Sequence, residues 1–369
     1  MNIIEYMEKY EYEQVAICCD KGAGLKAIIA IHDTTLGPAF GGVRMWPYAT
    51  EDDAVIDVLR LSRAMTYKAA AAGLKFGGGT AIIIGDPKKD KTEALLRSFG
   101  KYVDSLCGRY IAAQDVGTTV DDMEKIASET EYVVGLPVHL GGAGDPSSAT
   151  AYGVLRATEA CSKNVFGSGS LKGKVVAVQG LGKVGSALAR LLYQEGAEIV
   201  ACAINDEATK GANRQFGATI VSPDEIYDVD CDIFSPCALG GVINKDTIPR
   251  LKARVIAGGA NNQLAEDDCA QMLADRRILY APDYVANAGS VIQHALELGG
   301  HGTEGAKARV ARIYETMEQV LARAEADHIS TAGAADRMVE ERIHSVRRSK
   351  RIYRQVRTSK LTRPAFSPY

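Results

Sequence analysis

Val175-Val176-Ala177-Val178 is an unbroken apolar run that stops at Gln179 and opens into Gly180-Leu181-Gly182-Lys183-Val184-Gly185. Beyond it Ala187, Leu188, Leu191 and Leu192 recur at helical spacing, so the pattern predicts a buried strand, a tight turn and a helix. Upstream, apolar runs predict strands over 25–32, 81–84 and 109–112, with a helix over 91–106 between the last two. Another helix is expected to start at Thr50, whose hydroxyl is answered by Asp53 as in a capping box, with Val55, Val58, Leu59, Ser62 and Met65 on one face. Downstream, apolar runs at 199–204, 232–234, 255–257 and 278–280 alternate with helical stretches, and the last three are each followed by a loop of small residues. Strands alternating with helices predict a parallel, doubly wound sheet whose ligand lies outside the carboxyl ends of the strands. One long helix is expected over 306–326, with Val310, Ile313, Met317, Val320 and Leu321 on its buried face, and a second from Thr331.

The fold class is therefore α/β, and 369 residues suggest two domains. The boundary is expected in Gly141-Gly142-Ala143-Gly144-Asp145-Pro146-Ser147, which is rich in residues that end regular structure. That divides the chain into an N-terminal α/β domain over 1–145 and a dinucleotide-binding domain over 146–330.

Charge changes this picture little. With 43 basic and 46 acidic residues the net charge is −3, which gives no global bias toward nucleic acid or an acidic membrane. No stretch of 18 apolar residues occurs and the first ten residues lack the apolar middle of a signal peptide, so a cytoplasmic protein is expected. The eight cysteines form no C-x-x-C pair, and no metal site is expected. The basic stretch 342–363 has no interleaved aromatics, and reads as a solvated or subunit-contacting end rather than a nucleic-acid surface.

The chemistry starts at the G-x-G-x-x-G. In a dinucleotide site the first glycine, Gly180, permits the turn, Gly182 lets the pyrophosphate approach the backbone, and Gly185 lets helix pack on strand. Two other positions are open to two readings. Lys68 lies one turn past Met65, at the end of a buried stripe, and is either a snorkelling surface lysine or a cation presented to a carboxylate in a cleft. Asp115, just after a strand, is either a cap or a carboxylate aimed into that cleft. The glycine-rich 73–79 is expected to be a loop, either one whose backbone closely approaches a neighbour or ligand or a merely flexible turn.

Six segments carry a resemblance. Residues 34–45 (TTLGPAFGGVRM), 65–68 (MTYK), 76–79 (FGGG), 114–118 (QDVGT), 260–264 (ANNQL) and 282–289 (PDYVANAG) resemble the glutamate/leucine/phenylalanine/valine dehydrogenase family, nearest its leucine and phenylalanine branches. The resemblance implies reversible oxidative deamination of an L-amino acid to a 2-oxo acid and ammonia with NAD, in a homo-oligomer whose C-terminal helices, 331–369, pack back on the first domain. It implies carboxylate binding by Lys68 and a catalytic carboxylate at Asp115. It places Phe40, Gly41, Met65, Val134, Asn262 and Val291 around the substrate. It places cofactor contacts at Thr150, at Gly180, Leu181, Gly182, Lys183, Val184, Gly185 and Ser186, and at Ala203, Ile204, Cys237, Ala238, Ala260, Asn262 and Asn287. The side-chain pocket reads as apolar, which favours leucine-like, valine-like or aromatic substrates over glutamate.

Three positions depart from the family. Where it carries a catalytic lysine after the triple glycine, this chain has Thr80, and a hydroxyl is no base at neutral pH without another group to take its proton. Lys75 is the nearest candidate to replace it. Where an acid is expected to bind the adenine ribose about 20 residues past the glycine motif stands Ala203, which makes NADP possible, with Lys210 or Arg214 as partners of its phosphate; the alternative is that Asp206 folds back toward the ribose. Ser290 replaces a glycine near the nicotinamide. Three readings follow: an amino-acid dehydrogenase impaired at Thr80, an enzyme reducing a preformed imine, or a catalytically silent nucleotide-binding homologue.

Overall fold

A computed structural model describes residues 2–299 and 303–349. The first unit holds α1 (Ile3–Lys9), β1 (Gln14–Asp20), β2 (Leu25–Asp33), β3 (Ala39–Trp46), α2 (Glu51–Ala71), β4 (Gly77–Ile84), α3 (Glu93–Ser105), β5 (Tyr110–Gln114) and α4 (Val120–Ala127). Its sheet runs β1-β2-β4-β3-β5, antiparallel across β1, β2 and β4 and parallel across β4, β3 and β5. The long α2 lies on this sheet. Its start is the expected capping box, in which Thr50 Oγ1 accepts from Asp53 N at 3.1 Å and Asp53 Oδ2 accepts from Thr50 N at 3.2 Å.

The triple glycine belongs to a strand, which differs from the loop expected over 73–79. Gly77, Gly78 and Gly79 open β4, where Gly78 and Gly79 pair with β2 on one side and Gly77 and Gly78 pair with β3 on the other. The reason is helix packing. A Cβ on Gly78 would lie 2.1 Å from Thr66 Oγ1 and 2.2 Å from Thr66 N, so the backbone of α2 rests directly on the strand. A side chain on Gly77 would strike the Asp33 carbonyl at 1.9 Å. The backbone approach expected of these glycines is therefore to protein.

The second unit begins with α5 (Ser147–Phe166) and continues through β6 (Val175–Gln179), α6 (Lys183–Gln194), β7 (Glu198–Cys202), α7 (Asp206–Phe216), β8 (Thr219–Ile220), β9 (Ile233–Pro236), β10 (Val255–Ile256), α8 (Cys269–Asp275) and β11 (Leu279–Tyr280). Every pair in its sheet, ordered β11-β10-β9-β6-β7-β8, is parallel. The strand order reverses between β6 and β9. A topological switch point therefore lies at their carboxyl ends, beside Gly180 and Cys237, where an α/β sheet binds its ligand.

The chain then runs through α9 (Asp283–Ala286), α10 (Gly289–Leu298), α11 (Thr303–Ala311), α12 (Ile313–Asp327) and α13 (Thr331–Ser349). The single helix expected over 306–326 is two, divided at Arg312, whose N–H reaches back only three residues to the Arg309 carbonyl. The break falls where Ile313 packs onto Gly153 of α5; a Cβ on that glycine would meet Ile313 Cδ1 at 2.7 Å. Helix α13 ties the units together. Tyr284 donates to Asp336 at 2.6 Å near its start, and farther along Tyr67 donates to Glu340 at 3.1 Å and Arg342 to the Leu74 carbonyl at 2.9 Å. Arg347 closes the helix onto the first unit through Asp33 at 2.8 Å and Glu11 at 3.0 Å. The rest of the basic stretch, from Lys350, and of the expected 331–369 segment lies outside the described residues. No helix among the described residues is long and apolar enough to cross a membrane.

Because the α2–β4 contact has no room for a methyl group, Gly78→Ala is expected to destabilise the fold by about 1–3 kcal/mol. Urea denaturation of the purified protein measures this; undiminished stability would mean that α2 can move away from β4 freely.

Candidate functional site

A cavity of about 130 Å³ opens where the two units face each other. Phe40 and Gly41 of β3, Met65 and Lys68 of α2, Thr80 of β4 and Asp115 beyond β5 line it from the first unit, and Asn261, Asn262, Asp283, Tyr284, Ser290, Val291 and His294 from the second. Of the eight residues expected at the substrate or to act as catalytic groups besides Val134, each reaches this cavity. Val134 does not. A bridge between Ala112 and Val133 draws that segment onto β5, Val134 is fully buried in the core, and the neighbouring Gly135 packs against the His294 ring.

Lys68 is the most constrained of these groups. It is 7% exposed, and its Nζ donates to Asn261 Oδ1 at 2.9 Å. Burial lowers its pKa to about 8, against the opposing pull of Asp283 and Asp115. Asp283 responds in the opposite direction. Burial raises its pKa even though it accepts backbone N–H groups from Gln263 and Tyr284 and faces Lys68. Lys68 is thus a buried cation turned into a cleft, not a snorkelling surface residue. The resemblance marks Asn262, and the structure adds its neighbour Asn261. Asn261 Oδ1 also accepts from Asn287 Nδ2 at 2.8 Å, which fixes the amide that meets Lys68. Asn262 takes a left-handed φ of 50° and lines the same cavity.

Asp115 is held from behind. Arg44 donates Nε–H to Asp115 at 3.1 Å and Nη1–H to Asp57 at 3.0 Å, and Tyr48 donates to the same Asp57. Burial alone would lower the Arg44 pKa, but the two carboxylates outweigh it and raise the value. Gly42 makes the fit possible, because a Cβ there would lie 2.5 Å from Asp115 Cβ. Thr80 is buried, and its hydroxyl donates to the Gly79 carbonyl at 2.8 Å. Lys75 is exposed and does not line the cavity.

The loop after β6 has the shape a pyrophosphate needs. Gly180 has φ +96° and presses on Ala238, whose backbone N would be 3.0 Å from an added Cβ. Gly185 packs so closely that a Cβ would meet the Gly180 carbonyl at 1.9 Å. Gly182, between them, has nothing within 4 Å of an added Cβ, and no side chain caps the N-terminus of α6. Turn, open approach and helix packing are thereby divided among the three glycines. Leu181 is buried, Ser186 donates to the Leu181 carbonyl at 3.0 Å, and Lys183 pairs with Asp145 at 2.6 Å.

The rest of the expected cofactor contacts fall around this loop or between it and the cavity. Gly259 would meet Val184 Cγ1 at 2.6 Å if it carried a Cβ, and its N–H lies 3.4 Å from Cys237 Sγ. Ala260 and Asn261 follow, so only one residue lies between the contact with the glycine loop and the partner of Lys68. Asn287 is buried and donates to the Ala260 carbonyl at 3.2 Å. The Thr150 hydroxyl is held within the first turn of α5, donating to Pro146 O at 3.1 Å. Strand β7 ends at Cys202, so Ala203 and the 96% exposed Ile204 lie just past it instead of within the strand expected over 199–204. Among the described residues no group of three or more His, Cys, Asp or Glu is arranged to hold a metal.

The family model of the Glu/Leu/Phe/Val dehydrogenase dimerisation domain matches residues 11–132, and that of glutamate/leucine/phenylalanine/valine dehydrogenase matches residues 141–208 and 205–348. The leucine dehydrogenase of Geobacillus stearothermophilus is 56% identical over 350 residues, 95% of each chain. The phenylalanine dehydrogenase of Lysinibacillus sphaericus is 48% identical over 90% of this chain and 88% of its own. The crystal structure of L-tryptophan dehydrogenase from Nostoc punctiforme superposes with a TM-score of 0.79 at 45% identity, covering 94% of this chain and 99% of that one. The buried lysine, the carboxylate beside it and the glycine loop thus occur in a chain that belongs to the glutamate/leucine/phenylalanine/valine dehydrogenase family.

Proposed function

We propose that the chain catalyses the NAD-linked oxidative deamination of an L-amino acid with an apolar or aromatic side chain, consuming water and yielding a 2-oxo acid and ammonia, and the reverse reaction. The convergence of Lys68, Asp115 and Asn262 on one cavity, with Phe40, Met65 and Val291 as its apolar wall, carries this reading. The domains are proposed to divide as 1–145 with 331–369 and 146–330. The dinucleotide, when bound, takes up hydride from the substrate. Gly180, Gly182 and Gly185 would hold its pyrophosphate.

The chain's own groups do the rest. The Lys68 ammonium neutralises the substrate carboxylate in a site dry enough to strengthen the attraction. Asp115, braced by Arg44, exchanges a proton with the amine. Thr80, whose hydroxyl is turned to Gly79 O, offers no base for water attack on the imine, so deamination is expected to be slow. The same observation favours a second reading, in which the substrate is a preformed imine and no water need be activated.

NAD is favoured because Asp206 and Glu207 open α7 beside the ribose end, Lys210 pairs with Glu207 at 3.7 Å, and Arg214 sits in the last turn of α7. Ala203 removes one carboxylate from that site, which admits NADP as the weaker ligand. Ile17, 71% exposed on the edge strand β1, supports a homo-oligomer, since exposed strand edges pair readily. A small molecule is the proposed partner otherwise, with neither nucleic acid nor membrane, and the location is proposed to be cytoplasmic.

Assays following the reduced cofactor should find weak deamination of leucine, valine or phenylalanine by the native protein, rising about 10²- to 10⁴-fold in Thr80→Lys. Reduction of added cyclic imines without amino-acid turnover would favour the second reading. Lys68 must be charged to hold a carboxylate, and its pKa of about 8 means the charge is present below that pH and lost above it. In a pH profile, kcat/KM should fall as pH rises through about 8, and a flat profile to pH 10 would remove Lys68 from this role. Gly182→Val should keep the native melting temperature but weaken NADH binding, read by fluorescence titration, at least about tenfold, the loss expected when one close backbone contact is blocked.

A further inference from the structure

Among the described residues two buried imidazoles are held differently. His32 spends both ring nitrogens on protein, one with Thr66 Oγ1 at 2.8 Å and one with the Tyr10 carbonyl at 3.0 Å. His294, 3% exposed, lines the substrate cavity, and its Nε2 is buried with no hydrogen-bond partner. An unpaired buried polar atom costs about 1–3 kcal/mol and calls for a reason. Nothing in the packing supplies one: Gly135 lies under the ring tip, 3.1 Å from Nε2 to an added Cβ, and Phe40 stands edge-on at 6.2 Å between ring centres. Ser290 sits one helical turn before His294 on α10 and lines the same cavity, so the helix adds two polar groups to a pocket whose apolar wall includes Phe40, Met65 and Val291.

We propose that His294 is a specificity-determining residue, and that the substrate is an aromatic L-amino acid, or its 2-oxo acid, whose ring carries an N–H or O–H bound by the His294 imidazole. This rests on the dehydrogenase reading and narrows it. Phe40 supplies an aromatic edge for a ring, and the Met65 thioether adds a favourable sulfur–aromatic contact. The imidazole is neutral at pH 7, burial having lowered its pKa to about 4 against the pull of Asp145, so one nitrogen is a bare acceptor and the other an N–H donor. An aliphatic guest leaves that capacity unused in a dry pocket. A ring hydroxyl or indole N–H satisfies it, and sites of this kind discriminate against the analogue that lacks the group.

The test measures binding, so it does not depend on what Thr80 does to turnover. Calorimetric titration of the full chain saturated with NADH, in buffer free of ammonia, compares 2-oxo acids in pairs: 4-hydroxyphenylpyruvate with phenylpyruvate, and indole-3-pyruvate with its benzothiophene isostere. The member with the polar group should bind about tenfold tighter or better in each pair, the ratio that one buried hydrogen bond gives. His294→Val should collapse both ratios toward one, and His294→Asn, which keeps a hydrogen-bonding amide, should retain part of them. Equal affinities within the pairs, ratios that survive His294→Val, or tighter binding of 4-methyl-2-oxopentanoate than of any aromatic acid would overturn the proposal. If NADH binds and none of these acids does, the dehydrogenase reading fails and the assignment of His294 fails with it.

Discussion

A lysine ammonium shut inside the protein is the feature on which the arrangement of this molecule turns. Taking a cation out of water is expensive unless polar groups replace the lost solvent, and Lys68 has no carboxylate within salt-bridge distance among the described residues. Its compensation is assembled from both units. Asn261 meets the ammonium directly, and Asp115 and Asp283 act on it electrostatically from opposite sides of the cleft. Neither unit alone could bury that charge. The same incompleteness leaves Lys68 with a pKa near 8 and makes it receptive to an incoming carboxylate.

The groups around Lys68 are placed by close backbone packing more than by side-chain contacts. Gly78 lets α2 sit against β4, which sets the depth at which Lys68 enters the cavity. Gly42 leaves room for Asp115, and Gly259 presses on Val184 of the glycine loop only two residues before Asn261. A change in the cofactor loop therefore has a short mechanical route to the lysine's partner. Thr80 and Ala203 are single side chains on this frame: Thr80 lies buried within β4, and Ala203 just past the end of β7.

Much of this was legible in the sequence where the signal is local. The capping box at Thr50, the strand, turn and helix around Gly180, and the parallel second sheet all follow from spacing within a dozen residues. The triple glycine reads as a loop because glycine has no side chain to show the two-residue period of a strand, and only the facing helix explains it. The reading of Lys68 stayed open because periodicity assigns a residue to a helix face without saying what lies opposite. Asn261 is 193 residues from Lys68, and Arg44 is 71 from Asp115, so neither pairing leaves a local trace. His294 had a fainter signal, a polar residue three positions after Val291 on an apolar helix face. Val134 is placed at the substrate by the resemblance, and in the structure it lies in the core behind the cavity wall, a difference of one layer that no local pattern marks.

Helix α13 gives the two units a second physical link besides the segment 141–147, and its contacts fall on both. Tyr284 reaches Asp336 near its start, and Arg347 reaches Asp33 and Glu11 near its end. Bodies joined by one tether can swing in any direction, whereas bodies joined at two separated points keep only rotation about the line between them. A rotation that parted the units about that line would have to break the Lys68–Asn261 hydrogen bond, so the buried charge itself resists opening of the cleft.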